Sequence, residues 1–287
     1  MRRVLYWIAV AAALVPPAVL AHGTETAMDG PTIRVVGDGW GNARPDDIAA
    51  VLRSVADVLL PAPAPRPNLS IVVSHGPRAP MVLYERDADG AYRVMLHAHD
   101  DQWHLYVYEF AHEYCHILSN YDEYGADVSR RNQWFEESLC ETASLFALNA
   151  AAARWQMEPP APGLAGAERK LSWFRDLLMA EPHRRVPAEG VAAWLKDHED
   201  KLRQDPYQRA MNELVATHML PAFAVDGGWS ALRSLNRSPD DSACSLRELV
   251  DHWYRNADSI GKTSVARIRT LLFEEAPVAS SAIATVR

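Results

Sequence analysis

The feature that most constrains this chain is a change of period near residue 103. Before it, apolar residues come in short runs rich in β-branched side chains. After it, they recur every three to four positions almost to the end. Residues 32–37 (TIRVVG) and 70–75 (SIVVSH) read as short buried strands. Between them, 45–60 carries Ile48, Val51, Leu52, Val55 and Leu59 at helical spacing, with Asp46 and Asp47 in the first turn behind Pro45. Four prolines in 61–67 predict an extended connector. Residues 81–87 and 91–98 flank Asp87-Ala88-Asp89-Gly90, a hairpin pattern with a slightly long turn. Helices are then predicted over about 103–119, 131–153, 166–180, 188–196, 206–220, 227–236, 245–255 and 261–273. The proline-rich stretch 158–163 interrupts them, and no internal repeat is visible. The expectation is an α+β chain. A β-containing half (22–125), with one or two helices, would be followed by a mostly helical half (126–275) and meet it at a cleft. Residues 276–287 would be a flexible tail.

The amino terminus reads as an address. Arg2 and Arg3 precede an unbroken apolar run from Val4 to Val15, ended by Pro16 and Pro17. Val19-Leu20-Ala21 then places small residues where a signal peptidase needs them. The run is short of the ~20 residues a spanning helix requires. Residues 1–21 are therefore expected to be a signal peptide, and the chain to be exported to a periplasm or secreted, with no stable membrane span. No cysteine follows the run to carry a lipid. Removal takes away two arginines and no acids, so a formal charge of -8 becomes -10, and the chain would begin at His22. That acidic balance argues against a nucleic-acid partner. Charged residues make up 23%, near the globular average, so wholesale disorder is not expected. Three cysteines in 287 residues do not make a disulfide framework.

Residues 112–116 read His-Glu-Tyr-Cys-His, an HExxH pattern. On a helix, histidines at i and i+4 share a face, so both rings reach one metal, and the glutamate between them stands close to a water on it. At ~100° per residue His112, His116, Glu109, Asn120 and Glu113 cluster on one side. Val107, Phe110, Ala111, Ile117 and Leu118 fall on the other. Alone, this also fits a solvated polar face bearing two histidines. The segment from Asn132 to Leu148 shifts the balance. There Glu137 and Glu141 share one face while Phe135, Leu139 and Phe146 share the opposite one. A metal held by two histidines needs a third protein ligand. Glu137 follows His116 at a distance that allows a loop and a helical turn back. Glu141, one turn on, would accept the other ring N–H of His112 and orient it.

His112-Glu113-x-x-His116 followed by Trp134-Phe135-Glu136-Glu137-Ser138-Leu139-Cys140-Glu141 resembles the gluzincin metallopeptidases, whose second motif reads W-x-x-E-[GS]-x-A-[ED]. The resemblance covers roughly 91–236. It implies a zincin-like fold, one zinc per chain bound by His112, His116 and Glu137, Glu141 as the outer acid, and hydrolysis of a peptide or protein substrate. Pro206-Tyr207-Gln208-Arg209-Ala210 is similar to a helix start in which a tyrosine hydroxyl stabilises the oxyanion, a role carried here to Tyr207, with His183 and His218 as weaker candidates. The G-x-M-x-N segment of aminopeptidases is absent from 81–98, so aminopeptidase specificity is not implied. The strand Tyr92–Ala98 would be the edge along which an extended peptide pairs.

Glu113 would then take a proton from water and later pass it to the leaving amine. The competing reading is a non-catalytic envelope protein that keeps the zincin fold, with or without metal. The intact Glu113 speaks against it, because zinc binding alone does not require that carboxylate. Cys115 and Cys140 fall on the two ligand helices. In an oxidising compartment they would be able to pair; as buried helical residues they would stay free.

Overall fold

The computed structural model describes residues 30–61, 67–126 and 128–274. The expected signal peptide, the His22 start, the tail 276–287 and most of the proline-rich connector lie outside the described residues.

The strands are β1 (Thr32–Val36), β2 (Ser70–His75), β3 (Met81–Leu83) and β4 (Tyr92–Leu96), in sheet order β1-β2-β4-β3. β1 pairs with β2 and β2 with β4 in parallel, Ile33 opposite Ile71 and Val73 opposite Val94. β3 runs antiparallel to β4, with Val82 opposite Val94. Ile71, Val73, Val94 and Leu96 are fully buried, and an N–H bond from Asp87 to Ala91 O (2.9 Å) closes the hairpin. The strand expected as an edge is therefore interior: β4 has β2 on one side and β3 on the other. The outer strand on that side of the sheet is the three-residue β3. The predicted strand 81–87 stops at Leu83 because the chain turns away toward its hairpin.

Helix α1 (Pro45–Leu59) makes the crossover from β1 to β2. Proline at its start lacks an N–H that would have no partner there, and Asp46 and Asp47 sit on the positive end of the helix dipole. Its stripe of Ile48, Val51, Leu52, Val55 and Leu59 is wholly buried against β1 and α2 (Trp103–Leu118). Helix α3 (Gln133–Trp155) is buried on nearly every face, as Phe135, Ser138, Leu139, Thr142, Leu145 and Leu148 attest. A helix apolar all round must be enclosed. Here α2, α4 (Glu168–Met179) and α6 (Arg209–Met219) surround it. Helix α5 (Val191–Gln204), α7 (Leu246–Asn256) and α8 (Ser259–Phe273) complete the helical half. A capping box starts α7, with Ser245 Oγ taking the Glu248 N–H and the Glu248 carboxylate taking the Ser245 N–H.

The helix predicted at 227–236 is a 3-10 turn over Gly228–Ser234, entered through Gly227 at φ +75. Two successive glycines disfavour a regular α-helix there, and Trp229 stacks on Phe223 with ring centroids 3.9 Å apart. Among the described residues no helix is long and apolar enough to cross a membrane.

Leu52 is fully buried between the sheet and α2. Leu52→Ala is expected to cost about 2–5 kcal/mol in urea unfolding, the range for a large-to-small change in a packed core. A cost under ~1 kcal/mol would show that this layer is not packed as described.

Candidate metal centre

Helix α2 presents the first ligand pair because its other face is committed to the core. Val107, Phe110, Ala111 and Tyr114 are fully buried. His112 and His116 follow one another along the opposite side, ring centroids 5.1 Å apart. Helix α3 packs against α2 and brings Glu137 to them. Glu137 Oε2 stands 3.3 Å from His112 Nε2 and 3.7 Å from His116 Nε2. Separations of this size fit donors that share one small ion at ~2 Å from each. The three residues predicted as ligands are therefore brought together.

The electrostatics favour a cation at that point. Burial opposes charge on His116, yet the Glu137 and Glu136 carboxylates outweigh it and raise its pKa well above the ordinary value. Burial would likewise raise Glu137, but His116 and His112 hold it well below its usual range. Glu137 thus faces two imidazoles, a donor set of N, N and O that suits a divalent transition-metal ion. The Cys140 thiol also lies within 4.8 Å of the two histidines. Burial and the neighbouring Cys115 raise the pKa of that thiol, whereas Glu137 is held in its charged form. Cys115 and Cys140 are both free and fully buried.

Glu136 was not anticipated as a site residue. Its Oε1 bonds His116 Nδ1 at 2.7 Å, while Arg130 and Asn236 (2.8 Å) donate to its Oε2. That contact orients the His116 ring; with a metal at Nε2, it would hold the remaining ring proton on Nδ1. The only sequence cue was a second glutamate beside the motif glutamate.

Glu141 is placed elsewhere than expected. It does not orient His112; Arg184 donates to its Oε1 at 2.8 Å and the Tyr108 hydroxyl to its Oε2. Arg184 comes from a 3-10 turn, Pro182–Arg184, and its side chain is entirely buried. It also reaches Glu213 Oε1 at 3.4 Å. Glu213 in turn binds Arg209 Nε (2.6 Å) and His183 Nε2 (2.5 Å). His183 is thus engaged by Glu213, while His218 lies near the backbone of Arg184 and Arg185. Neither lines the cleft beside the histidines.

Glu113 is buried beside the ligands. Its carboxylate lies near the backbone N–H of Val82 on β3, and burial raises its pKa against the pull of His112 and His116. Tyr207 stands outside the helix it was expected to start, since α6 begins at Arg209. Its own N–H turns back to Asp205 Oδ1 at 3.1 Å. The Tyr207 hydroxyl accepts from Gln133 Nε2 at 2.7 Å. Burial and the Glu137 charge raise its pKa, so it remains a phenol at neutral pH.

These groups line one cleft of about 460 Å³ between the two halves. Ala79 and Pro80 stand on the sheet side, His112, Glu113 and Glu137 at the centre, and Phe174, Tyr207, Arg209 and Glu213 on the helical side. Comparison of the chain with protein-family models, curated proteins and solved structures returns no match.

The Glu213 knot sets an acid limit. Burial pushes its carboxyl up, but Arg209, Arg184 and His183 together hold it below its ordinary value. Folding therefore favours its charged form. That contribution is complete above the unfolded glutamate pKa and is lost as pH falls through the lower folded value. Glu213→Gln should reduce stability at pH 7 and flatten its decline below about pH 4, read by urea unfolding across pH. An unchanged acid slope would remove Glu213 from this account.

Proposed function

We propose that this protein is a zinc-dependent peptidase of gluzincin type on a zincin-like scaffold, acting outside the cytoplasm on a peptide or protein substrate. The observation that carries the reading is the approach of Glu137 Oε2 to both His112 Nε2 (3.3 Å) and His116 Nε2 (3.7 Å), with Glu113 buried beside them on a cleft wall. His112, His116 and Glu137 would hold the metal. When bound, zinc supplies Lewis-acid polarisation of a carbonyl and lowers the pKa of a water toward ~7.

The chain's own groups divide the remaining work. With the metal in place, Glu136 would hold the His116 proton on Nδ1 and leave Nε2 free to bind it. Glu113, with its raised pKa, accepts the proton of the attacking water and hands it to the departing amine. Tyr207 has Gln133 as its donor, which leaves its own O–H to give to an oxygen on which negative charge develops. Glu141 holds Tyr108 in the cleft wall and ties it to the buried Arg184 behind, a positioning role. Leu105, Tyr108 and Phe174 offer an apolar surface to a substrate side chain.

Purified protein should carry about one zinc at this site, and Glu113→Gln should keep it while lowering cleavage of a mixed peptide library by ~10²-fold or more. Zinc without any cleavage by the unaltered protein would favour the non-catalytic reading. Loss of the metal in Glu113→Gln would assign Glu113 to the ligand set instead. Tyr207→Phe should lower kcat by roughly 10²-fold with little change in KM. An unchanged kcat would remove the hydroxyl from the reaction.

A further inference from the structure

The loop between the 3-10 turn Gly228–Ser234 and α7 carries a second set of donors that peptide hydrolysis leaves unused. A carboxylate oxygen of Asp241, the Sγ of Cys244 and a ring nitrogen of His252 all lie within 4.8 Å of one another. Asp241 is buried, while Cys244 and His252 are partly open to solvent. An ion therefore has both an anchored charge and a way in.

The donors are held before any ion arrives. Asp241 Oδ1 bonds His252 Nδ1 at 2.6 Å, and Oδ2 accepts the Ser238 N–H at 2.9 Å. The loop is pinned from three sides. Arg131 N–H donates to Ser242 O (2.8 Å), Asn132 Nδ2 to Cys244 O (2.9 Å) and the Tyr124 hydroxyl to Ser238 O (2.6 Å). Cys244 immediately precedes the capping box that fixes the start of α7, and His252 lies two turns along that helix. The three donors come from two rigidly joined elements, which lowers the ordering cost of binding.

We propose that Asp241, Cys244 and His252 form a second cation site, for a thiolate-preferring divalent ion of zinc's class. One sulfur, one nitrogen and one oxygen suit such an ion and do not suit calcium or magnesium, which take oxygen ligands. Ligands at ~2.0–2.3 Å from zinc stand roughly 3–4 Å apart, so small side-chain shifts complete three positions and leave a fourth for water. The role is structural. This loop also sends Asn236 Nδ2 to Glu136 Oε2 (2.8 Å) and to Ser119 O (2.9 Å). An ion joining the loop to α7 would stiffen the support behind Glu136. The site rests on its own donors and stands whether or not the cleft hydrolyses peptides.

The test uses the full chain with cobalt(II) as probe, because a thiolate bound to cobalt adds a charge-transfer absorption in the near ultraviolet. The band should persist in Cys140→Ala, which removes the other thiol near imidazoles, and disappear in Cys244→Ser. Zinc content should be two per chain, falling to one in Cys244→Ser or His252→Ala and, separately, to one in His112→Ala. A band retained in Cys244→Ser, or a zinc content that neither Cys244→Ser nor His252→Ala changes, would overturn the proposal. Loss of zinc only in His112→Ala would overturn it while leaving the cleft site intact. A measurement on the unaltered protein guards against a folding defect in the variants. Zinc should slow alkylation of Cys244 by ~10-fold or more, since a metal-bound thiolate is withdrawn from reaction. Equal rates with and without zinc would also overturn it.

Discussion

A buried negative charge on Glu136 ties this molecule together. A carboxylate removed from water costs several kcal/mol unless hydrogen-bonded and paired. Glu136 meets that cost with a histidine from α2, an arginine from just before α3 and an asparagine from the loop behind it. Arg130 is local, but the histidine and the asparagine reach Glu136 only once α2, α3 and the 236–245 loop have docked. The packing of the helical half and the orientation of a metal-facing imidazole are thus one event. The arrangement of ligands is part of what folding requires.

A second ionic knot stands on the other wall of the cleft. Arg184 is enclosed by Glu141, Glu213 and the Thr217 hydroxyl, and Glu213 passes the connection on to Arg209 and His183. Each member is satisfied by another, so the network holds the turn at Pro182 and the start of α6 against α3. Tyr108 joins it from α2 through Glu141. The cleft is therefore framed by charge pairs on its helical side and by the short edge of the sheet on the other.

Much of this was legible because period is a strong signal. The strands at 32–36 and 70–75 and the helices at 45–59, 103–118 and 133–155 fall within a residue or two of the periodicity. The pair of histidines followed from helix geometry, since i and i+4 share a face whatever surrounds them, while Glu137 as third ligand was what the resemblance of 134–141 to the gluzincin second motif implied. What was not legible depends on how helices cross. Whether Glu136 or Glu141 meets a histidine is decided by the rotation of α3 against α2, which no single-helix pattern contains. Arg184 comes from a three-residue turn with no periodic cue. The placement of β4 inside the sheet was missed because the hairpin pattern gives this strand one neighbour, while its parallel pairing with the distant β2 has no local cue. Helix α6 starts after Tyr207 because Asp205 ties the chain into a local turn, with side-chain bonds to Tyr207 N and Gln208 Nε2.

That short edge also affects how copies of the chain behave toward each other. An exposed strand is a template on which another strand can grow, and aggregation follows when the template is long and flat. β3 offers only three residues, and the buried Glu113 carboxylate lies beside the Val82 N–H. The opposite edge, β1, carries the charged Arg34 in its middle. A sheet left open beside a cleft is in this way a poor seed for fibres, and the carboxylate that marks the cleft helps to make it so.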